Sequence, residues 1–217
     1  MSMTRYAAAI FDLDGTLIGT ERILVETCMQ TLAAYGHPVS RDFVTSMIGL
    51  SEVEGFRRIC AEIGVDLDFD DFSAAWSRAN QAAYAKGIPL MPGVAELLAL
   101  LKASHIPVAV ATNSSTKGAL RKLGLAGINA QFETVIGFDA VPHPKPAPDV
   151  FLAAAAGLGV NPADCIAFED SDPGVSAAVA AGMTVVHVPD MAVPKQNGAQ
   201  FMATSILHGA RLAGLIV

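Results

Sequence analysis

A chain of 217 residues, 52% of them hydrophobic, is long enough to bury the core of an ordinary domain and to carry a small second one. Its 14 basic and 21 acidic side chains give a formal net charge of -7, which opposes non-specific attachment to nucleic acid or anionic membranes and favours small-molecule partners. Three widely separated cysteines, Cys28, Cys60 and Cys165, form no metal or redox motif and fit a reducing cytoplasm, and no segment approaches the ~18 apolar residues of a membrane span.

The first apolar run, residues 6–11, is too short for a signal sequence and leads straight into acidic residues, so it predicts a buried strand over 7–13. From about residue 19 to 89 the texture changes. No strand-like run occurs there, and apolar residues recur at helical spacing, as in Ile23, Leu24, Thr27, Cys28, Leu32 and Ala33, then Phe56, Ile59, Cys60 and Ile63, then Phe72, Trp76, Ala79 and Ala83. This pattern predicts a helical insert after the first strand, entered and left through linkers near 17–20 and 87–92. Beyond it, apolar runs at 106–111, 165–168 and 184–188 predict further buried strands. Helices are expected over 92–104, 148–157 and 173–181, each starting near a proline, whose missing N–H has no intrahelical partner in the first turn. The alternation implies an α/β fold, a doubly wound parallel sheet over 1–18 and 90–217, with a small all-helical cap over 19–89. The tail after Pro189 carries no functional signal.

Four segments carry chemistry. In Phe11-Asp12-Leu13-Asp14-Gly15-Thr16, two carboxylates sit at the carboxyl end of a buried strand, where open α/β sheets bind ligands. A calcium loop is excluded, because Leu17 stands where such a loop needs glycine and Ile23 where it needs glutamate. Burying two acids there is costly without a cation. Thr112-Asn113-Ser114-Ser115 follows the second strand and offers donors to an anion, or simply a helix N-cap from Ser114 or Ser115. Lys145 lies among Pro144, Pro146 and Pro148, which stiffen its loop. Glu169-Asp170-Ser171-Asp172-Pro173 ends the third strand; Ser171 or Asp172 can cap the next helix, but Glu169 and Asp170 precede the cap and suit a hard cation such as magnesium.

Taken in order, these segments resemble the four motifs of the haloacid dehalogenase superfamily, over about residues 7–188. Met91-Pro92-Gly93-Val94 and Lys145-Pro146-Ala147-Pro148-Asp149 resemble the branch of phosphoglycolate phosphatases and β-phosphoglucomutases, which carries a helical cap after the first motif. The resemblance implies a cytoplasmic, monomeric, Mg2+-dependent phosphatase acting on a small phosphorylated metabolite. Asp12 would be the nucleophile and Asp14 the general acid/base; Thr112, Asn113 and Lys145 would hold the phosphoryl group; Asp12, the Asp14 backbone carbonyl, Glu169 and Asp170 would hold the metal.

A dehalogenase or phosphonate-cleaving relative is disfavoured by Asp14, and a non-catalytic member of the fold by the intact acids. A mutase of the β-phosphoglucomutase kind shares every core motif; Thr16, where such mutases often carry valine, tilts the expectation to hydrolysis. Two positions depart from the pattern: Gly19-Thr20-Glu21 replaces a common Asp-Ser-Glu, and Pro144 stands where relatives often have glycine before the lysine. Substrate choice is expected in the cap, with Glu21, Arg22, His37, Arg41, Arg57, Arg58 and Lys86 as polar candidates and the apolar loop Met47-Ile48-Gly49-Leu50-Ser51 favouring a modest, not strongly charged, leaving group.

Overall fold

A computed structural model describes residues 6–48, 50–191, 194 and 198–216. In chain order, β1 (Ala8–Phe11) is followed by four helices: α1 (Thr20–Ala34), α2 (Arg41–Thr45), α3 (Glu52–Ile63) and α4 (Phe69–Tyr84). Then come α5 (Val94–Ala103), β2 (Val108–Ala111), α6 (Thr116–Leu125), β3 (Thr134–Ile136) and α7 (Asp149–Gly157). The chain continues through β4 (Cys165–Glu169), α8 (Asp172–Ala180), β5 (Thr184–His187), β6 (Phe201–Met202) and α9 (Ile206–Leu212). Two compact units result, Met1–Gly19 with Pro89–Val217, and Thr20–Ile88.

In the first unit the described strands form one parallel sheet of order β3-β2-β1-β4-β5-β6. β1 reads Ala-Ala-Ile-Phe, with every residue buried, because a parallel sheet is covered on both faces and gains nothing from polar alternation. On one face Ala8, Ile10, Ala109, Ala111, Cys165 and Ala167 pack against Val150, Phe151 and Ala154 of α7 and Val175 and Ala178 of α8. The small alanines let these helices approach closely. On the other face Phe11 stacks on Phe168, ring centroids 5.0 Å apart. Full burial of each such large side chain contributes about 1.5–3 kcal/mol. No helix among the described residues is long and apolar enough to cross a membrane.

The central strands stand where they are expected. The three-residue β3 and two-residue β6 are not anticipated in the sequence, nor are the five-residue α2 and the terminal α9. α8 starts at Asp172 because Ser171 is its N-cap, accepting from the Gly174 N–H at 3.2 Å. At α6 the cap is Ser115, accepting from the Gly118 N–H, which leaves Ser114 for another purpose.

The second unit is all helical. Ser40, Ser51 and Asp68 cap α2, α3 and α4 through hydrogen bonds from Phe43, Glu54 and Asp71 N–H groups. The packing of α1 and α4 includes a polar seam: the Thr27 hydroxyl accepts from Trp76 Nε1 at 3.1 Å and pairs with Asn80. Phe56 packs edge-on to Phe69 and tilted against Phe72, beside a cavity of about 190 Å³ lined by residues including Cys28, Met47, Leu50, Phe72 and Trp76. Burial pushes the Cys28 thiol up to about 12 and, at the start of β4, Cys165 to about 11, so both stay protonated. Of the polar candidates, Arg41 pairs with Glu26, Arg57 with Glu54, and Arg58 donates to the Ser46 carbonyl, all on exposed faces of this unit. Gly49 of the apolar loop lies outside the described residues.

Candidate active site

The strand order runs one way from β1 through β2 to β3 and the other way through β4 to β6, so β1 and β4 flank the switch point where open α/β sheets leave a crevice at their carboxyl ends. Register brings the acids together there. Phe11 pairs with Phe168, so the next residues, Asp12 and Glu169, emerge side by side, and the Asp12 N–H donates to the Phe168 carbonyl at 2.9 Å. Asp12, Glu169 and Asp170 are all buried and offer oxygens that lie within 4.8 Å of one another.

Lys145 enters this cluster from the loop before α7. Its Nζ donates to Asp12 Oδ1 and Glu169 Oε1, each at 2.5 Å, and lies 4.9 Å from the centre of the Phe151 ring. Asn113 fixes the loop: its Oδ1 accepts from the Lys145 N–H at 2.9 Å and its Nδ2 donates to the Lys145 carbonyl at 3.2 Å. The Asn113 amide is therefore engaged in positioning Lys145. Thr112 Oγ1 accepts from the Ser114 N–H at 3.0 Å, and its hydroxyl hydrogen can still be donated.

The remaining acids are braced individually. Glu169 Oε2 accepts from the Ser171 hydroxyl at 3.1 Å and its N–H at 3.3 Å. Thr16 donates to Asp170 Oδ1 at 3.3 Å, and buried His187 reaches the Asp170 carbonyl through Nε2 at 2.9 Å. A carbonyl only accepts, so Nε2 carries the hydrogen. Two glycines make room for these carboxylates. A Cβ on Gly15 would overlap the Asp170 carboxylate, and one on Gly174 would overlap that of Glu169. Gly15 also has φ +87°, which an L side chain resists. Gly15→Ala should cost about 2–4 kcal/mol in urea unfolding, combining left-handed strain with overpacking. A loss below about 0.5 kcal/mol, the range of an ordinary surface change, would contradict this close approach.

Burial, opposed by Lys145 and reinforced by Glu169, pushes the Asp12 carboxyl up to about 8. For Lys145, burial would lower the ammonium, but Asp12 and Glu169 outweigh it and hold it protonated well above its ordinary range. Both shifts favour a bound proton, held more firmly on Lys145 than on Asp12. Lys145 is the charged member, because its ammonium satisfies two carboxylates at 2.5 Å at once. One ammonium among three buried acids leaves excess negative charge, so the donor set fits a hard divalent cation bound through oxygen.

The sequence of residues 9–188 matches the model of the haloacid dehalogenase-like hydrolase family. The chain belongs to this family. A bifunctional riboflavin kinase/FMN phosphatase of Arabidopsis thaliana is 34% identical over 93% of the chain, which spans 53% of that longer protein. The fructose-1-phosphate phosphatase YqaB of Escherichia coli is 35% identical, the match covering 85% of the chain and 97% of that enzyme. A solved HAD family hydrolase of Deinococcus radiodurans, with bound phosphate and sodium, superposes with a TM-score of 0.81 at 27% identity, covering 99% of both chains.

In this haloacid dehalogenase-like hydrolase, Asp12, Lys145, Glu169 and Asp170 meet in one cluster, Asn113 braces its lysine, and Thr112 is buried at the end of β2. Asp14 is turned toward two residues that sequence reasoning does not single out for this purpose. Lys122 Nζ lies 2.8 Å from each Asp14 oxygen, and Ser114 Oγ donates to Oδ2 at 2.8 Å. No motif announces Lys122, which stands 108 positions from Asp14.

Proposed function

We propose that this hydrolase is a magnesium-dependent phosphatase that cleaves a small phosphorylated metabolite, a sugar phosphate or phosphoglycolate-like ester, through a phosphoaspartate on Asp12. The supporting observation is Lys145 held between Asp12 and Glu169, beside Asp170, at the switch point of the sheet. A carboxylate nucleophile and a phosphate ester repel each other. Lys145 offsets that repulsion and stabilises charge on the transferring phosphoryl group, with the Thr112 hydroxyl as a further donor. Asp12, Glu169, Asp170 and the Asp14 carbonyl would hold Mg2+, which when bound supplies further positive charge to the phosphoryl oxygens.

Asp12 attacks phosphorus as the ester oxygen departs with a proton from Asp14; water then attacks the phosphoaspartate, giving its proton to Asp14. Splitting the displacement into two steps lets one carboxyl serve first as acid and then as base. Residues 19–89, inserted between β1 and α5, are proposed as the cap that selects the leaving group, with Met47, Leu50 and the aromatic residues around its cavity giving it an apolar preference.

The test is a panel of phosphorylated metabolites assayed with and without Mg2+, repeated with Asp12→Asn. Hydrolysis that persists in that variant refutes the reading, and glucose 6-phosphate formed from glucose 1-phosphate would replace hydrolysis by a mutase reaction.

Cation binding should also depend on pH. The folded, cation-free Asp12 carboxyl lies near 8 against an ordinary value of 3.8, so its contribution to stability is present below 3.8 and is lost as pH rises toward 8. A cation competes with that proton, so the rise in melting temperature on adding MgCl2 should grow between pH 6 and pH 8, about the upper half of the titration, and then level off. An increment that does not change across this range would contradict proton competition at Asp12.

A further inference from the structure

We propose that Lys122 is the positioning residue for proton transfer by Asp14, an inference that rests on the phosphatase reading above. The Lys122 ammonium spans the carboxylate, 2.8 Å from each oxygen, and also donates to Ser114 Oγ at 3.0 Å, while that hydroxyl donates to Asp14 Oδ2 at 2.8 Å. The result is a closed triangle of Asp14, Ser114 and Lys122. A single contact leaves a carboxylate free to rotate about Cβ–Cγ; two contacts at different oxygens, with a hydroxyl bracing one of them, fix both its direction and its plane.

Both arms of the triangle belong to one rigid segment. Ser114 immediately precedes Ser115, the N-cap of α6, and Lys122 lies in the last turn of that helix. Helical side chains lean toward the helix N-terminus, which carries the long Lys122 side chain back toward Ser114. Asp14 sits on the turn after β1, next to Gly15, whose left-handed backbone offers no side chain to pack against it. α6 thus holds the Asp14 carboxylate through both Ser114 and Lys122.

An ordinary exposed ion pair contributes little to stability and has little geometric consequence. This pair differs, because the Lys122 side chain is 20% exposed and that of Asp14 28%, and the ammonium engages both oxygens. Nor does Lys122 duplicate Lys145, whose ammonium lies between Asp12 and Glu169, since its own contacts are to Asp14 and Ser114. Its contribution is orientation, to which proton transfer is sensitive: misplacing a catalytic group by about 1 Å can cost 10²-fold.

In the first half-reaction the Asp12 oxygen–phosphorus bond forms, the phosphorus–ester oxygen bond breaks, and the Asp14 proton passes to the leaving oxygen. In the second, the water oxygen–phosphorus bond forms, the Asp12 oxygen–phosphorus bond breaks, and a water proton returns to Asp14. Assistance from Asp14 matters little when the leaving group is a stable phenolate and a great deal when it is strongly basic. Loss of the clamp should therefore steepen the dependence of rate on leaving-group basicity.

The experiment measures kcat/KM, which reports the steps through departure of the alcohol, for 4-nitrophenyl, phenyl and 4-methoxyphenyl phosphate with saturating Mg2+. Lys122→Met should lose about 3-fold on the nitrophenyl ester and about 50- to 100-fold on the other two, within the range of general acid catalysis. Lys122→Arg should restore most of the loss on the poor leaving groups, and Ser114→Ala should show the same steepening with smaller amplitude. Equal losses across the series, or no loss, overturn the positioning role, because a contribution to binding or folding alone moves all three esters together. If the methionine variant does not fold, Ser114→Ala decides on the same criterion. Wild-type protein that hydrolyses none of the three, or Asp12→Asn that still does, strikes the phosphatase reading instead.

Discussion

Asp12→Asn should abolish turnover of every phosphate ester, lowering kcat by about 10^4-fold or more, the scale of losing a covalent nucleophile. The amide has nearly the same shape, and the strand pairing at this point uses the backbone, with the residue 12 N–H donating to the Phe168 carbonyl at 2.9 Å. The fold should therefore survive. Melting temperature at pH 8 without divalent cation should be unchanged or higher, because the variant no longer ionises a carboxyl that burial pushes up to about 8. Wild-type enzyme quenched during turnover of a 32P-labelled ester should carry acid-stable, hydroxylamine-labile label, and the variant none. Residual turnover within tenfold of wild type would remove Asp12 from the role of nucleophile.

Lys145→Met tests the same cluster from the cationic side. Without its ammonium, Asp12 and Glu169 lose a partner that each holds at 2.5 Å, and three buried acids face one another. Breaking a buried pair by removing one partner typically costs about 3–5 kcal/mol, so urea unfolding at pH 8 without divalent cation should show a loss of that size. The loss should shrink on adding MgCl2 and grow above pH 8, because without the ammonium, which lowers it in the wild type, the Asp12 carboxyl holds its proton to still higher pH. Activity should fall by about 10²–10³-fold even in saturating Mg2+, because a fixed positive charge opposite the transferring phosphoryl group is missing. A variant as stable as wild type at pH 8 would show that the ammonium does not balance these acids.

The strands that carry the acids are legible in the sequence because burial on both faces reduces them to short, uninterrupted apolar runs such as Ala8–Phe11. Thr134–Ile136 escapes notice because it is a three-residue edge strand, half-buried along its length, and Phe201–Met202 because two residues have no period. The acid cluster is legible for a chemical reason: Glu169 and Asp170 precede the Ser171 cap, so capping does not account for them. Lys122 is illegible because what distinguishes it is a partner 108 positions away, and on its own helix it looks like a solvated charge. Ser114 and Ser115 cannot be told apart before the helix start is known. The backbone decides by making Ser115 the cap and turning Ser114 toward Asp14.

The hydrogen bond from Gly19 N–H to the Pro89 carbonyl at 2.9 Å, next to the antiparallel bridge between Ile18 and Leu90, has a consequence for how such a protein changes over evolutionary time. The long excursion between these residues departs from and returns to neighbouring points of the sheet unit, so its two ends are closed within that unit. Doubling the length of such a loop costs only about 0.6 kcal/mol in closure entropy. Helices can therefore be gained, lost or replaced in that stretch as a cassette, and the register that sets Asp12 beside Glu169 is inherited unchanged.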